Sequence, residues 1–416
     1  MRYCARMAGS RSRVLGFLLG ITVAFGQGLP EAEKLLQQER LQDAEALLQT
    51  LVKQAPADVE ARFRLAYVHY RLRRLDLARQ EFAAIVNAAP PAFGARYFLG
   101  RIALAEQNPR EAIQWLRPVV QGGDTTHDAA SQLAQAFVQA GQLPNALEPL
   151  QKAIQREPWD GRLYYRLGRL HQQLKQPELA REALQTSSRL LAAGRESVET
   201  LMAAGRELRE GKRTEALQRL APVANTAQIE PNILLATGIL YTEMEEPQLA
   251  LGVFERAARA AETLFAPQFN YGLALLKNGR PDEALPVLER AATLLPQSQE
   301  AQITLGLAAV MTRQYARAIA PLVRAYENEP GHTRVRSLLA TAYLRTGKAE
   351  AAAKLLQPLV AEAGEPAPAL LYIEALQALG QEQQAIATAR TTYQKHPQDL
   401  AAAMTLGTLL TRAGQF

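Results

Sequence analysis

A 34-residue period runs through this chain and leaves few folds open to it. Ala44, Ala78, Ala112, Ala146, Ala180, Ala216, Ala250, Ala284, Ala318, Ala352 and Ala385 are spaced by 34 residues, except for one step of 36 after Ala180 and one of 33 after Ala352. A second small-residue series keeps the same step twelve residues earlier: Ala32, Ala66, Gly100, Ala134, Gly168, Ala204, Gly238, Gly272, Gly306 and Ala340, with Gly407 in a last half repeat. Prolines punctuate the frame at Pro56, Pro90, Pro158, Pro296, Pro330 and Pro397, where one helix must stop and the next begin. Two series in one register mark a structural repeat.

Helix contact explains the pattern. Between Arg62 and Pro90 apolar residues recur at helical spacing (Phe63, Leu65, Ala66, then Leu77, Ala78, Phe82, Ile85), so two short helices face one another. Alanine or glycine at the crossing lets their backbones approach. Larger neighbours such as Leu65, Leu99, Leu133, Leu305 and Leu339 fill the layer to the next repeat, so each unit is stable only against its neighbours. The expectation is an all-α solenoid with a continuous core, in place of several globular domains.

The period, the small residue in the first helix, the alanine in the second and the junction proline together resemble the tetratricopeptide-repeat (TPR) family, over about eleven full repeats and a half. The resemblance implies a right-handed α-α superhelix of helix-turn-helix repeats. Three features depart from the family pattern. The early tryptophan of the first helix never occurs, Ile373 replaces the small residue of repeat eleven, and Glu207 stands where repeat six should carry a ring or an aliphatic side chain. Prolines inside second helices (Pro118, Pro149, Pro222, Pro286, Pro321, Pro358) are expected to kink outer, solvent-side helices. The 36-residue step predicts a connector at Leu190-Leu191-Ala192-Ala193-Gly194, bending the array into 27–192 and 193–416.

In such proteins the first helices line a concave groove, which carries over to the residue after the small position, the one three before it and their neighbours. That places Phe63, Tyr67, Tyr70, Tyr97, Arg101, Tyr165 and Arg169 in the N-terminal half, and Leu235, Ile239, Phe269, Leu273, Leu276, Ile303, Leu307 and Val310 in the C-terminal half. A non-catalytic scaffold for protein or peptide partners follows, with arginines for carboxylates and tyrosines for rigid contact area. The family's carboxylate clamp for chaperone C-termini is not reproduced, since its places hold Phe63, Tyr67, Tyr97, Arg101, Ser131 and Gln135.

The first 26 residues read as a secretory signal: Arg2, Arg6, Arg11 and Arg13 precede the apolar run Val14 to Phe25, with small residues around Ala24-Phe25-Gly26. The run is too short to span a bilayer, and no later stretch approaches that length. Its removal takes away Cys4, the one cysteine, and lowers the formal charge from +6 to +2. A chain so near neutrality lacks the phosphate track that nucleic acid requires. The expected location is the periplasm or the exterior, and the expected cofactor and metal content is none. The five histidines, His69, His127, His171, His332 and His396, fall in different repeats with no metal-ligand spacing, and no phosphate loop or nucleophile elbow occurs. His69 and His171 share the place of the family's packed ring. The last helix still presents Met404, Leu406, Leu409 and Leu410, a face open to association with a partner or to a continuation of the chain, as in the repeat arm of a larger envelope protein for polysaccharide export or of an enzyme whose catalytic domain follows residue 416.

Overall fold

The computed structural model describes residues 20–122, 128–362 and 365–415. The leader up to Leu19, with Cys4, and His127 lie outside them. Among the described residues there are 22 α-helices and no strand, and none is long and apolar enough to cross a membrane. The chain divides into two compact units, the first ending at Ser188 and the second beginning at Arg189.

Within each unit the helices pair as the period requires. Repeat 2, for example, consists of an A helix, Val59–Arg71, and a B helix, Leu75–Ala88, and repeat 9 of Gln299–Met311 and Tyr315–Asn328. All eleven alanines of the B-helix series are buried, from Ala44 to Ala385. The A-helix small residues lie against a large side chain sixteen positions on. A Cβ added at Gly168 would come within 2.6 Å of Leu184 and one at Gly272 within 2.6 Å of Leu288, with Leu116, Phe254 and Leu322 equally close to Gly100, Gly238 and Gly306. Where the A-helix residue is alanine, the same relation joins Ala32 to Leu48, Ala66 to Phe82, Ala134 to Leu150, Ala204 to Leu220 and Ala340 to Leu356, each pair buried in one cluster. Small against large is therefore the rule of the crossing.

Repeat 11 inverts it. Ile373 is buried on the A helix Pro366–Ala378, and the residue sixteen positions on is Ala389, also buried in the same cluster. The volume lost on one helix is supplied by the other. Repeat 6 compensates differently: Glu207, which the family pattern would replace by an apolar residue, receives Arg219 of its own B helix through both oxygens, Nε lying 2.8 and 2.9 Å away. The guanidinium holds that carboxyl below its ordinary range, chiefly by hydrogen bonding.

The connector expected at 190–194 is instead helix. One helix, Pro177–Arg209, carries the B helix of repeat 5 straight into the A helix of repeat 6. Leucine and alanine are strong helix formers, no proline interrupts the stretch, and the single Gly194 costs only about 1 kcal/mol. The B-helix prolines also differ from expectation in part. Pro118, Pro222, Pro286 and Pro358 are exposed or half-buried, but Pro149 and Pro321 are buried and contribute to packing.

Between the two helices of each full repeat, and after the last helix, one residue is left-handed, with φ from +58° to +78°: Glu39, Arg73, Gln107, Gly141, Lys175, Gly211, Glu245, Gly279, Arg313, Gly347, Gly380 and Gly414. In repeat 2 the Arg73 N–H donates to Tyr70 and the Arg74 N–H to His69, closing the end of the A helix. Six of these twelve positions carry a side chain where glycine is preferred. Arg313→Gly is expected to raise stability by about 0.5–1 kcal/mol, and Gly279→Ala, whose Cβ would meet nothing, to lower it by about 1 kcal/mol through backbone strain alone. Urea midpoints of the two variants check both signs. At the junctions of Pro56, Pro158, Pro296 and Pro397, the residue two beyond the proline caps the following helix: Asp58 accepts from the N–H groups of Glu60 and Ala61, Asp160 from Arg162, Ser298 from Ala301 and Asp399 from Ala402, whereas Ala92 after Pro90 has no side-chain oxygen to do so.

Candidate functional site

The A helices carry the groove positions, and the structure sorts these by what they touch. In the first unit most of them pack on each other. Phe98, which the groove pattern overlooks, is the hub: Phe82 stacks on it at 5.0 Å, and Phe63, Tyr67, Tyr70 and Tyr97 meet it edge-on at 5.2–6.0 Å. Tyr97 is buried and donates its hydroxyl to Asp128 Oδ1 at 2.6 Å, and burial, reinforced by Asp128, pushes its pKa up. Arg101 lies between the faces of Tyr70 and Tyr97, 5.5 and 5.6 Å from their centres. Its guanidinium also donates to the Tyr97 hydroxyl at 3.3 Å. Two residues of the N-terminal set stand clear of this cluster: Tyr165, 52% exposed, and Arg169, whose guanidinium reaches Gln172 of its own helix.

Across the first three repeats of this unit, arginines of repeat 2 tie it to both its neighbours. Arg64 pairs with Glu33 at 2.8 Å, Arg71 with Glu39 at 2.7 Å, and Arg79 with Glu111 at 2.5 Å. The run Arg71-Leu72-Arg73-Arg74 is thus part inter-repeat pairing and part turn, with Arg73 in the left-handed position and Arg74 on the buried Glu45.

His69 is buried as a packed ring, its Nε2 3.3 Å from Glu45 Oε1 and neither nitrogen well hydrogen-bonded. Burial lowers its pKa from the ordinary 6.5, more than Glu45 and Glu81 raise it, and Arg74 adds to the lowering. Above that value folded and unfolded chains both hold it neutral. As pH falls below 6.5 the unfolded chain takes up a proton that the fold resists, so stability declines. His69→Phe, matching Phe137 at the equivalent place of repeat 4, should flatten the stability profile between roughly pH 7 and 5, read from urea midpoints at each pH.

In the second unit Leu235, Phe269, Leu276, Ile303 and Val310 pack against the core. Ile239 and Leu273, the residues just after the small crossing position in repeats 7 and 8, do not. They line a pocket of about 490 Å³ between the helices Pro231–Glu243, Pro247–Ala260 and Phe265–Lys277, with Ala250, Phe254 and Ala274 as its other apolar walls. Leu307 is half-buried on the next A helix. A second cavity, of about 400 Å³, lies in the first unit, where Asp128, Ser131, Glu157, Asp160 and Arg166 share its walls with Val120, Ala153 and Leu163. Burial, and then the charges of Asp160 and Asp128, push the Glu157 carboxyl up. Among the described residues no group of three or more acidic, histidine or cysteine side chains is placed to hold a metal.

Family profiles described as Tetratricopeptide repeat match residues 29–93, 235–299 and 270–333, and a second such profile matches 137–205 and 309–376. Together they cover well over half of the chain. It belongs to the tetratricopeptide-repeat family, and its fold is the helix-pair solenoid of that family. Among solved structures it is similar to MamA residues 41-end from Desulfovibrio magneticus RS-1, at 25% identity over 40% of this chain and 94% of that one, TM-score 0.36. It is similar also to Pseudomonas aeruginosa PilF, at 17% identity over 52% of this chain and 99% of that one, TM-score 0.40. The Cut9–Hcn1 hetero-tetramer of the APC/C matches 92% of this chain and 89% of its own at 13% identity, TM-score 0.36. No curated protein sequence matches.

Proposed function

We propose that this chain is a non-catalytic, exported scaffold that binds protein or peptide partners along its A-helix face. The observation that carries the reading is the pair Ile239 and Leu273. On two successive A helices the residue after the crossing turns away from the core and into an open pocket, with Ile239 42% exposed. Tyr165 and Arg169 stand on the A helix of repeat 5 in the first unit, one offering rigid contact area and the other a planar cation for a carboxylate. Phe63, Tyr67, Tyr70, Tyr97 and Arg101 continue the proposed face on the A helices of repeats 2 and 3, and Leu235, Phe269, Leu276, Ile303 and Leu307 continue it on those of repeats 7 to 9. The basic-then-apolar leader supports export to the periplasm or the exterior.

Affinity capture with the processed protein tests the scaffold. Partners retained by the wild type should be lost by Tyr165→Ala/Arg169→Ala or by Ile239→Asp, both of which alter exposed side chains and leave helix content unchanged by circular dichroism. An identical set of partners on all three proteins overturns the groove reading. For export, a bacterial host expressing the whole chain should deliver it across the inner membrane with residues 1–26 removed, and unprocessed chain retained in the cytoplasm overturns it.

A further inference from the structure

The pocket that Ile239 and Leu273 line has a chemistry of its own, and its use as a binding site rests on the A-helix face being the partner surface. Its walls are mainly apolar, and the side-chain donors of Thr242, Asn270 and Asn278 are turned to backbone carbonyls. The Thr242 hydroxyl donates to the Gly238 carbonyl at 2.9 Å, the Asn270 amide to Ala266 at 2.9 Å, and the Asn278 amide to Ala274 at 2.8 Å. The interior therefore offers an incoming group apolar contact and little hydrogen bonding. The mouth is different. Glu243 and Glu245, at the end of the Pro231–Glu243 helix and in the turn that follows, both border the pocket, both are exposed, and neither has an ion-pair partner among the described residues. Glu246 in the same turn is spent on Arg213 at 2.6 Å. Lys277 is the cation bordering the pocket and also lacks a partner among the described residues, so the mouth is net negative.

An apolar chamber with unpaired carboxylates at its rim selects a specific kind of segment. We propose that this pocket binds an extended stretch of a partner protein in which an aliphatic side chain of leucine size is flanked by lysine or arginine. The aliphatic group fills the space between Ile239, Leu273 and Phe254. The flanking cations meet Glu243 and Glu245, and Lys277 takes a backbone carbonyl at the far side. Burial of one aliphatic side chain supplies most of the affinity and the carboxylates supply direction and salt dependence.

The test uses the full chain and a blocked peptide, Gly-Ser-Lys-Leu-Lys-Ser-Gly, followed by isoleucine-methyl NMR, with the Ile239 signal assigned through Ile239→Val. The Ile239 methyl should shift saturably while that of Ile85 in the first unit stays in place. Replacing the peptide's leucine by serine should abolish the shift, and replacing its lysines by glutamate should weaken binding about tenfold or more. Glu243→Gln/Glu245→Gln should weaken the lysine peptide about fivefold at low salt and remove its salt dependence. Equal binding of the glutamate peptide, no effect of the double variant, or no shift at all overturns the proposal. So does an Ile239 shift on raising protein concentration without peptide, which assigns the pocket to a second copy of this chain. If Ile239 is silent while partner capture still depends on Tyr165 and Arg169, the pocket assignment fails and the groove reading stands. If it shifts while capture is indifferent to those residues, the reverse holds.

Discussion

Ile373→Ala should lower stability by about 3 kcal/mol, and Ala389→Leu by about 2 kcal/mol, yet the double variant should be nearly as stable as the parent. The single changes act by opposite mechanisms. Removing the isoleucine opens a cavity, because Ala389 is too short to reach across the crossing and both residues are already buried. Adding a leucine on the other helix forces a second large side chain into the space that Ile373 fills. Together the two substitutions restore the arrangement of repeat 10, where buried Ala340 on the A helix faces Leu356 on the B helix. Each repeat holds mainly to its neighbours, so the loss should appear first as faster amide exchange over 366–395 and only then in the global urea midpoint. Simple additivity of the two single-variant losses would mean that Ile373 and Ala389 do not share a crossing.

That inversion marks the boundary of what the sequence makes legible. A period of small residues identifies helix pairs because backbone approach has a single requirement, the absence of a bulky side chain, and it recurs at the same place in repeat after repeat. Compensation has no such signature. Ile373 taken alone reads as a defect, and only its packing with Ala389 reveals that the volume is conserved; Glu207 likewise reads as a misplaced charge until Arg219 is found opposite. The proline-x-cap pattern at Pro56-Ala57-Asp58 and Pro158-Trp159-Asp160 is present in the sequence and suffices to fix those A-helix starts. The fused helix Pro177–Arg209 escapes such a reading because a two-residue insertion suggests a loop, whereas an insertion made of good helix formers simply lengthens the helix.

The groove residues are legible as positions and not as environments. A residue one step past the crossing turns toward the open face in repeats 5, 7 and 8, giving Arg169, Ile239 and Leu273. The same step in repeats 2 and 3 gives Tyr67 and Arg101, which the ring of Phe98 and the buried Tyr97 draw into packing. Whether such a side chain stays open or packs on its neighbour depends on the size of residues one repeat away. Phe98 is large enough to gather the surrounding rings, and no residue of repeats 7 and 8 does the same around Ile239 and Leu273.

Gly272→Val is the companion test of the crossing rule and should cost about 3 kcal/mol. A Cβ at Gly272 would already lie 2.6 Å from both Cγ and a terminal methyl carbon of Leu288, and Leu288 is itself fully buried, so neither side chain can withdraw into free space. Valine also adds two branches to that Cβ. The same substitution at Gly407 meets nothing within 4 Å and should leave stability within about 0.5 kcal/mol, while Gly407→Ala should raise it by up to about 1 kcal/mol through helix propensity. The two glycines hold the same place in the period, so a local intrinsic effect would act on both alike. A difference of about 3 kcal/mol between two identical substitutions therefore reports the helix opposite Gly272, and equal melting shifts for Gly272→Val and Gly407→Val would remove side-chain contact as the reason for the small-residue series.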